Sequence, residues 1–213
     1  MNNRLQLKVC GMRDRENIQG LTALNPDYMG FIFYEPSPRN VGESLDKALV
    51  RHLPKGIKKI GVFVNENQEV ILQKVKQYDL QGIQLHGEES PELCRQLQAN
   101  GLLVWKVFSV GERFDFDQLN AYQAVVDAFL FDTKGTQKGG NGVPFNWHLL
   151  NNYTLDKPII LSGGIGVEEI AQLKDVVHLP ILAIDVNSRV EIKPGLKDLK
   201  LVDRLISTMM NDE

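Results

Sequence analysis

Pro158-Ile159-Ile160-Leu161-Ser162-Gly163-Gly164-Ile165-Gly166 is an apolar run that stops on a hydroxyl and two glycines. Val167–Leu173 then carries apolar residues at helical spacing, and Pro180–Val186 begins another apolar run. The runs are apolar on both faces, as in parallel sheets covered on both sides. Strand, glycine turn, helix, strand is therefore the reading of this stretch.

The same unit recurs outward in both directions. The apolar runs are Leu5–Cys10, Tyr28–Phe33, Lys59–Val64, Gly82–His86, Leu102–Phe108, Ala128–Asp132, Pro158–Ser162 and Pro180–Val186. Helical stretches are predicted after each, over Arg15–Leu24, Ser44–His52, Gln68–Gln77, Pro91–Ala99, Phe116–Tyr122, Asn146–Leu150, Val167–Leu173 and Leu199–Met209. Ser90-Pro91-Glu92 supplies an N-cap followed by proline at the first helical position. Eight units in 213 residues match a minimal α/β (β/α)₈ barrel, whose lower limit is about 200 residues. The rival is an open doubly wound sheet. No composition break or linker divides the chain, so residues 1–213 are read as a single barrel domain.

Composition narrows the function. With 24 Lys and Arg against 27 Asp and Glu, the net charge is −3, which disfavours a general nucleic-acid binder but not a small anionic ligand. Two distant cysteines point to a reducing, cytoplasmic setting and exclude a zinc cluster. The start lacks an apolar leader, and no run approaches the ~20 residues of a membrane span. His52, His148 and His178 show no ligand spacing, and no metal is expected.

In either α/β architecture ligands sit at the carboxyl ends of strands. There the sequence turns polar. Gly163-Gly164 opens a helix, and Asn187-Ser188-Arg189 follows the last strand. Loops after the seventh and eighth strands of barrels often hold phosphate, so Gly163, Gly164, Ser188 and Arg189 are candidate phosphate ligands; a plain tight turn is the alternative. Gly164-x-Gly166-x-x-Glu169 starts like a dinucleotide fingerprint but lacks its third glycine and falls in the wrong unit.

Asp132 ends an apolar strand, where desolvation suits a general acid; a cap or an ion pair with Lys134 is the alternative. Cys10 ends the first strand and is either a base or a small buried residue. Arg39, in the stiff turn Ser37-Pro38-Arg39, can fork onto a carboxylate or stand in solvent. Gln84 and His86 alternate on one strand and can both face inward. The Gly-rich segment Lys134–Pro144 is read as a lid.

Taken in register, these residues resemble the phosphoribosylanthranilate isomerase family of tryptophan biosynthesis. The resemblance rests on Lys8-Val9-Cys10-Gly11, Gly30–Tyr34 leading to Ser37-Pro38-Arg39, Gly61–Asn65, Gln84–Glu89 and Asp132-Thr133-Lys134. It continues through Gly139–Gly142, Leu161–Ile165, Asp185–Ser188, Val190-Glu191 and Pro194–Asp198. It implies a (β/α)₈ barrel, an Amadori rearrangement, a phosphoribosyl anthranilate substrate and no cofactor. By it Asp132 is the general acid, Cys10 the general base, Arg39 the carboxylate holder and Asp185 a substrate-orienting group. Phosphate falls to the backbone around Gly163, Gly164 and Ser188. Arg189 stands where many relatives carry glycine. The resemblance leaves monomer or homodimer open. Another phosphosugar barrel enzyme, or a non-catalytic phosphoribosyl-binding barrel, is the alternative.

Overall fold

The computed structural model describes residues 4–43, 45–133, 146–176 and 178–211. Eight strands close into a barrel in sequence order: β1 (Gln6–Val9), β2 (Tyr28–Ile32), β3 (Lys58–Phe63), β4 (Gly82–Leu85), β5 (Leu103–Val110), β6 (Ala128–Thr133), β7 (Ile159–Leu161) and β8 (Ile181–Val186). All eight pairings are parallel, including β8 back to β1, which decides for the barrel over the open sheet.

Strand alternation sorts the side chains. Tyr28, Ile60, Trp105, Val107, Ala128, Leu130, Ile160 and Ala183 form one buried cluster that fills the barrel. Tyr28 and Trp105 meet edge-on at 4.9 Å within it. Cys10, Ile32 and Val62 form a smaller cluster with Tyr34. The alternate residues pack outward under the helices.

Among the described residues five segments are α-helical: α1 (Arg15–Ala23), α2 (Lys47–Arg51), α3 (Gln68–Tyr78), α4 (Pro91–Gln98) and α5 (Leu199–Asn211). The predicted Ser90 cap is made to the Leu93 amide, and Asp14, Asp46 and Asn67 cap α1, α2 and α3 the same way. The helices expected after β5, β6 and β7 are instead 3₁₀ segments, at Phe116–Ala121, Trp147–Asn152 and Ile170–Val176. The cause is the spacing of their apolar residues. Phe116/Leu119/Tyr122, Trp147/Leu150/Tyr153 and Ile170/Leu173/Val176 each recur every third residue. That period lines up one face of a three-residue-per-turn helix, not of an α-helix. Aromatic rings supply the cover that longer helices would give: Phe108, Phe114, Phe116, Phe129, Phe131 and Tyr153 stack edge-on in pairs 4.8–6.4 Å apart over the outer face of β5 and β6.

A further element interrupts the last unit. β9 (Glu191–Lys193) and β10 (Leu196–Lys197) form an antiparallel hairpin between β8 and α5. The Asn17 side chain on α1 clamps it, donating to Lys197 O and accepting from Lys197 N. The predicted lid, Lys134–Pro144, lies outside the described residues, as does Ser44 at the start of the predicted second helix.

Candidate active site

A pocket opens at the carboxyl ends of the strands. Cys10, Gln84, His86, Asp132, Ser162, Gly163, Gly164, Asp185, Ser188 and Arg189 line it, with Ile32, Val62 and Val64 as its apolar wall. Nine of the ten residues predicted from sequence are thereby brought together; Arg39 is not among the lining.

Asp132 ends β6 with its carboxylate fixed. Oδ1 accepts from the Thr133 amide at 2.8 Å, and Oδ2 lies 3.4 Å from His86 Nε2. The Gln84 amide nitrogen is 3.4 Å from His86 Nδ1. Gln84 Oε1 and His86 Nε2 are buried without a hydrogen bond among the described residues. Two unsatisfied polar atoms beside one carboxylate are what a polar ligand would satisfy. Gly163 has φ +88°, and a Cβ there would come within 2.8 Å of Asp132 Oδ1 and collide with Thr133. Only glycine lets this loop pass so close to the acid.

Cys10 ends the β1 run beside a buried ion pair. Lys8 Nζ lies 2.9 Å from Asp185 Oδ1, with side chains 0% and 4% exposed. Burial pushes the Cys10 thiol up, with the Lys8 charge opposing. Burial also pushes Asp185 up against Lys8. For Lys8 itself burial favours the neutral amine, but Asp185 and Cys10 outweigh it and hold the ammonium above its ordinary value. A Cβ at Gly30 would come within 2.8 Å of Cys10 Sγ and 3.1 Å of Lys8 Cε, so this glycine makes room for both.

An acid-bearing strand end and a thiol-bearing strand end thus share one cavity whose rim is a glycine loop. The family profile of N-(5'phosphoribosyl)anthranilate (PRA) isomerase matches residues 7–208. The chain belongs to the PRA isomerase family. The N-(5'-phosphoribosyl)anthranilate isomerase of Phocaeicola vulgatus is 42% identical over 205 residues, covering 96% of each chain. The phosphoribosyl anthranilate isomerase of Thermotoga maritima superposes with a TM-score of 0.83 at 33% identity, covering 97% of this chain and 99% of that one. A PRA isomerase crystallised with reduced 1-(o-carboxyphenylamino)-1-deoxyribulose 5-phosphate superposes at 0.80, with 31% identity and the same coverage.

Two of the predicted residues in this PRA isomerase family member already have partners within the chain. Arg39 does fork, but onto Glu191: Nε donates at 3.0 Å and Nη2 at 2.7 Å. The fork is made to an internal carboxylate because the β9–β10 hairpin brings Glu191 under the β2 loop. Arg189 lines the pocket, yet its Nη2 donates to Glu169 Oε1 at 2.8 Å.

Sequence reasoning gave Lys8, Glu191 and Lys197 no role in the site. Lys197 Nζ is buried and donates to Glu191 Oε1 at 2.6 Å and to Asn187 Oδ1 at 2.6 Å. Burial pushes Lys197 down to about 8 against the attraction of Glu191. Burial would raise Glu191, but Arg39 and Lys197 hold it below the ordinary carboxylate value. A lysine between apolar neighbours within a predicted strand, as in Leu7-Lys8-Val9 or Trp105-Lys106-Val107, is a usable signal, since a buried lysine needs a partner. Lys106 has one in Glu89, at 3.2 Å; Glu89 in turn accepts from the Asn65 and Gly87 amides and fixes the turn after His86. Among the described residues no group of three His, Cys, Asp or Glu could hold a metal.

Proposed function

We propose that this chain catalyses the Amadori rearrangement of N-(5-phosphoribosyl)anthranilate to 1-(2-carboxyphenylamino)-1-deoxyribulose 5-phosphate, in tryptophan biosynthesis. The carrying observation is that Cys10 after β1 and Asp132 on β6, three strands away around the barrel, line one pocket rimmed by Gly163, Gly164 and Ser188.

Asp132 donates a proton to the ribose ring oxygen. The C1′–O bond breaks, and the nitrogen lone pair forms the C1′ iminium. The Cys10 thiolate removes the C2′ proton, and that electron pair neutralises the iminium to give the enolamine. Loss of the 2′-hydroxyl proton and protonation at C1′ give the ketone, so no atoms are gained or lost. General acid and base groups each contribute about 10²–10⁴-fold to such steps. Asp185, held by Lys8, orients the ribose hydroxyls; Gln84 and His86 supply polar partners beside the acid. The phosphate sits on the amides of Gly163, Gly164 and Ser188, where positive φ at both glycines turns the backbone toward the ligand. Arg39 receives the anthranilate carboxylate through Nη1, the part of its fork that Glu191 leaves open. We further propose that residues 1–213 form one barrel domain working in the cytoplasm. No helix among the described residues is long and apolar enough to cross a membrane.

The test makes the substrate in situ from anthranilate and phosphoribosyl pyrophosphate with the preceding transferase, and follows loss of its fluorescence. Rapid loss on adding the protein, abolished by Asp132→Asn, is expected. No acceleration over spontaneous decay by the folded protein would overturn the assignment and leave a phosphosugar-binding barrel.

A further inference from the structure

The two loops at the phosphate end of the pocket follow neighbouring strands, residues 162–166 after β7 and 187–190 after β8. One side-chain pair joins them. Glu169 is buried, and its two carboxylate oxygens are split between the loops: Oε2 accepts from the Gly166 amide at 2.8 Å, and Oε1 accepts from Arg189 Nη2 at 2.8 Å. Gly166 is shaped to this junction. A Cβ there would lie 3.2 Å from both Glu169 Oε2 and Arg189 Cβ, so the arginine stem rests directly on the glycine backbone. Three features therefore converge on one contact: a buried acceptor, a cation committed to it, and a missing side chain beneath them.

We propose that Glu169 and Arg189 are a positioning pair that clasps the two phosphate loops into register, so that Arg189 acts through Glu169 and not as a direct phosphate ligand. This rests on the phosphate reading given above. The chemistry favours it. Arg189 occupies a place where a glycine would leave the second loop unconstrained. An arginine there would compete with the backbone amides for phosphate unless its charge were already engaged. Glu169 engages it and fixes the spacing between Gly164 and Ser188 before substrate arrives, the preorganisation that lowers the cost of binding.

The experiment is a double-mutant cycle on Glu169→Gln, Arg189→Gly and both together, read as KM, kcat and the inhibition constant of inorganic phosphate. The arginine side chain is 42% exposed, so its removal leaves the core intact. For a clasp, each single variant raises KM and the phosphate inhibition constant together by about fivefold, by more than it lowers kcat, and the double variant is no worse than either single. The inference is overturned if Glu169→Gln leaves both constants at the wild-type values while Arg189→Gly raises them, since Arg189 then meets phosphate unaided. It is equally overturned if the two effects multiply, or if neither variant changes either constant. Wild-type turnover in the same assay separates these results from failure of the isomerase reading itself.

Discussion

Lys8 and Asp185 sit directly opposite one another on β1 and β8, the two strands that close the barrel, and their charged atoms meet 2.9 Å apart with almost no exposure. The ion pair thus spans the seam between the first and last strands. Removing one partner strands the other charge in the interior, which costs about 3–5 kcal/mol. Lys8→Met is expected to lose that much in urea unfolding, and Lys8→Met with Asp185→Asn to recover a large part of it. A double variant no more stable than the single would show that the seam does not depend on the charge pair.

The position of the ammonium also bears on Cys10. Burial holds the thiol above its ordinary value of 9.0 and Lys8 pulls it back. In the ligand-free protein, iodoacetamide labelling of Cys10 is expected to accelerate about tenfold per pH unit through neutrality without levelling off below pH 9, because only the thiolate reacts. Lys8→Met should slow it further. Cys94 is pushed up to about 11 by burial, so a Cys94→Ser background isolates the Cys10 signal by mass spectrometry.

Gly163→Ala places a methyl group against Asp132 Oδ1 and Thr133 at a φ of +88°. The strained backbone alone costs about 1–3 kcal/mol. Because the acid must move aside, turnover is expected to fall more than binding of inorganic phosphate does. Equal losses in the two would place the damage in the phosphate loop alone.

Lys197 predicts a pH dependence of stability. Its pKa falls from 10.5 in the unfolded chain to about 8 in the fold. Between these values the unfolded chain binds more protons, so this group makes stability rise with pH. Its burial penalty is in full force below pH 8 and is relieved as pH climbs toward 10.5. The stability of the wild type relative to Lys197→Met is therefore expected to grow across that window, by about 3 kcal/mol at most. A flat difference in chemical denaturation between pH 7 and 10.5 would contradict it.

The strand ends were legible because the apolar runs give way abruptly to polar residues: Cys10, His86, Asp132 and Asp185 are read straight from that transition. The three 3₁₀ segments were legible in principle, since Ile170, Leu173 and Val176 carry the period of three on their face, but runs this short also satisfy an α-helical pattern. What escaped is long-range pairing. Arg39 and Glu191 are 152 residues apart, and Asn17 and Lys197 are 180 apart. No local spacing announces a partner at that distance, and a carboxylate in the loop after β8 looks the same whether it faces water or a guanidinium. The hairpin that carries Glu191 has only three and two residues per strand, too few for alternation to register.

That hairpin has a consequence for how the protein comes into being. Asn17 on the first helix waits for Lys197, and the Glu191 on which Arg39 rests follows the last barrel strand. During synthesis on the ribosome, Cys10 and Arg39 are made early, but Arg39 acquires its final surroundings only once residues 191–197 have emerged. A nascent chain that stops after β6 carries both Cys10 and Asp132, yet lacks the loops after β7 and β8 and the carboxylate on which Arg39 rests, so the pocket closes around these two side chains only after the β9–β10 hairpin is made.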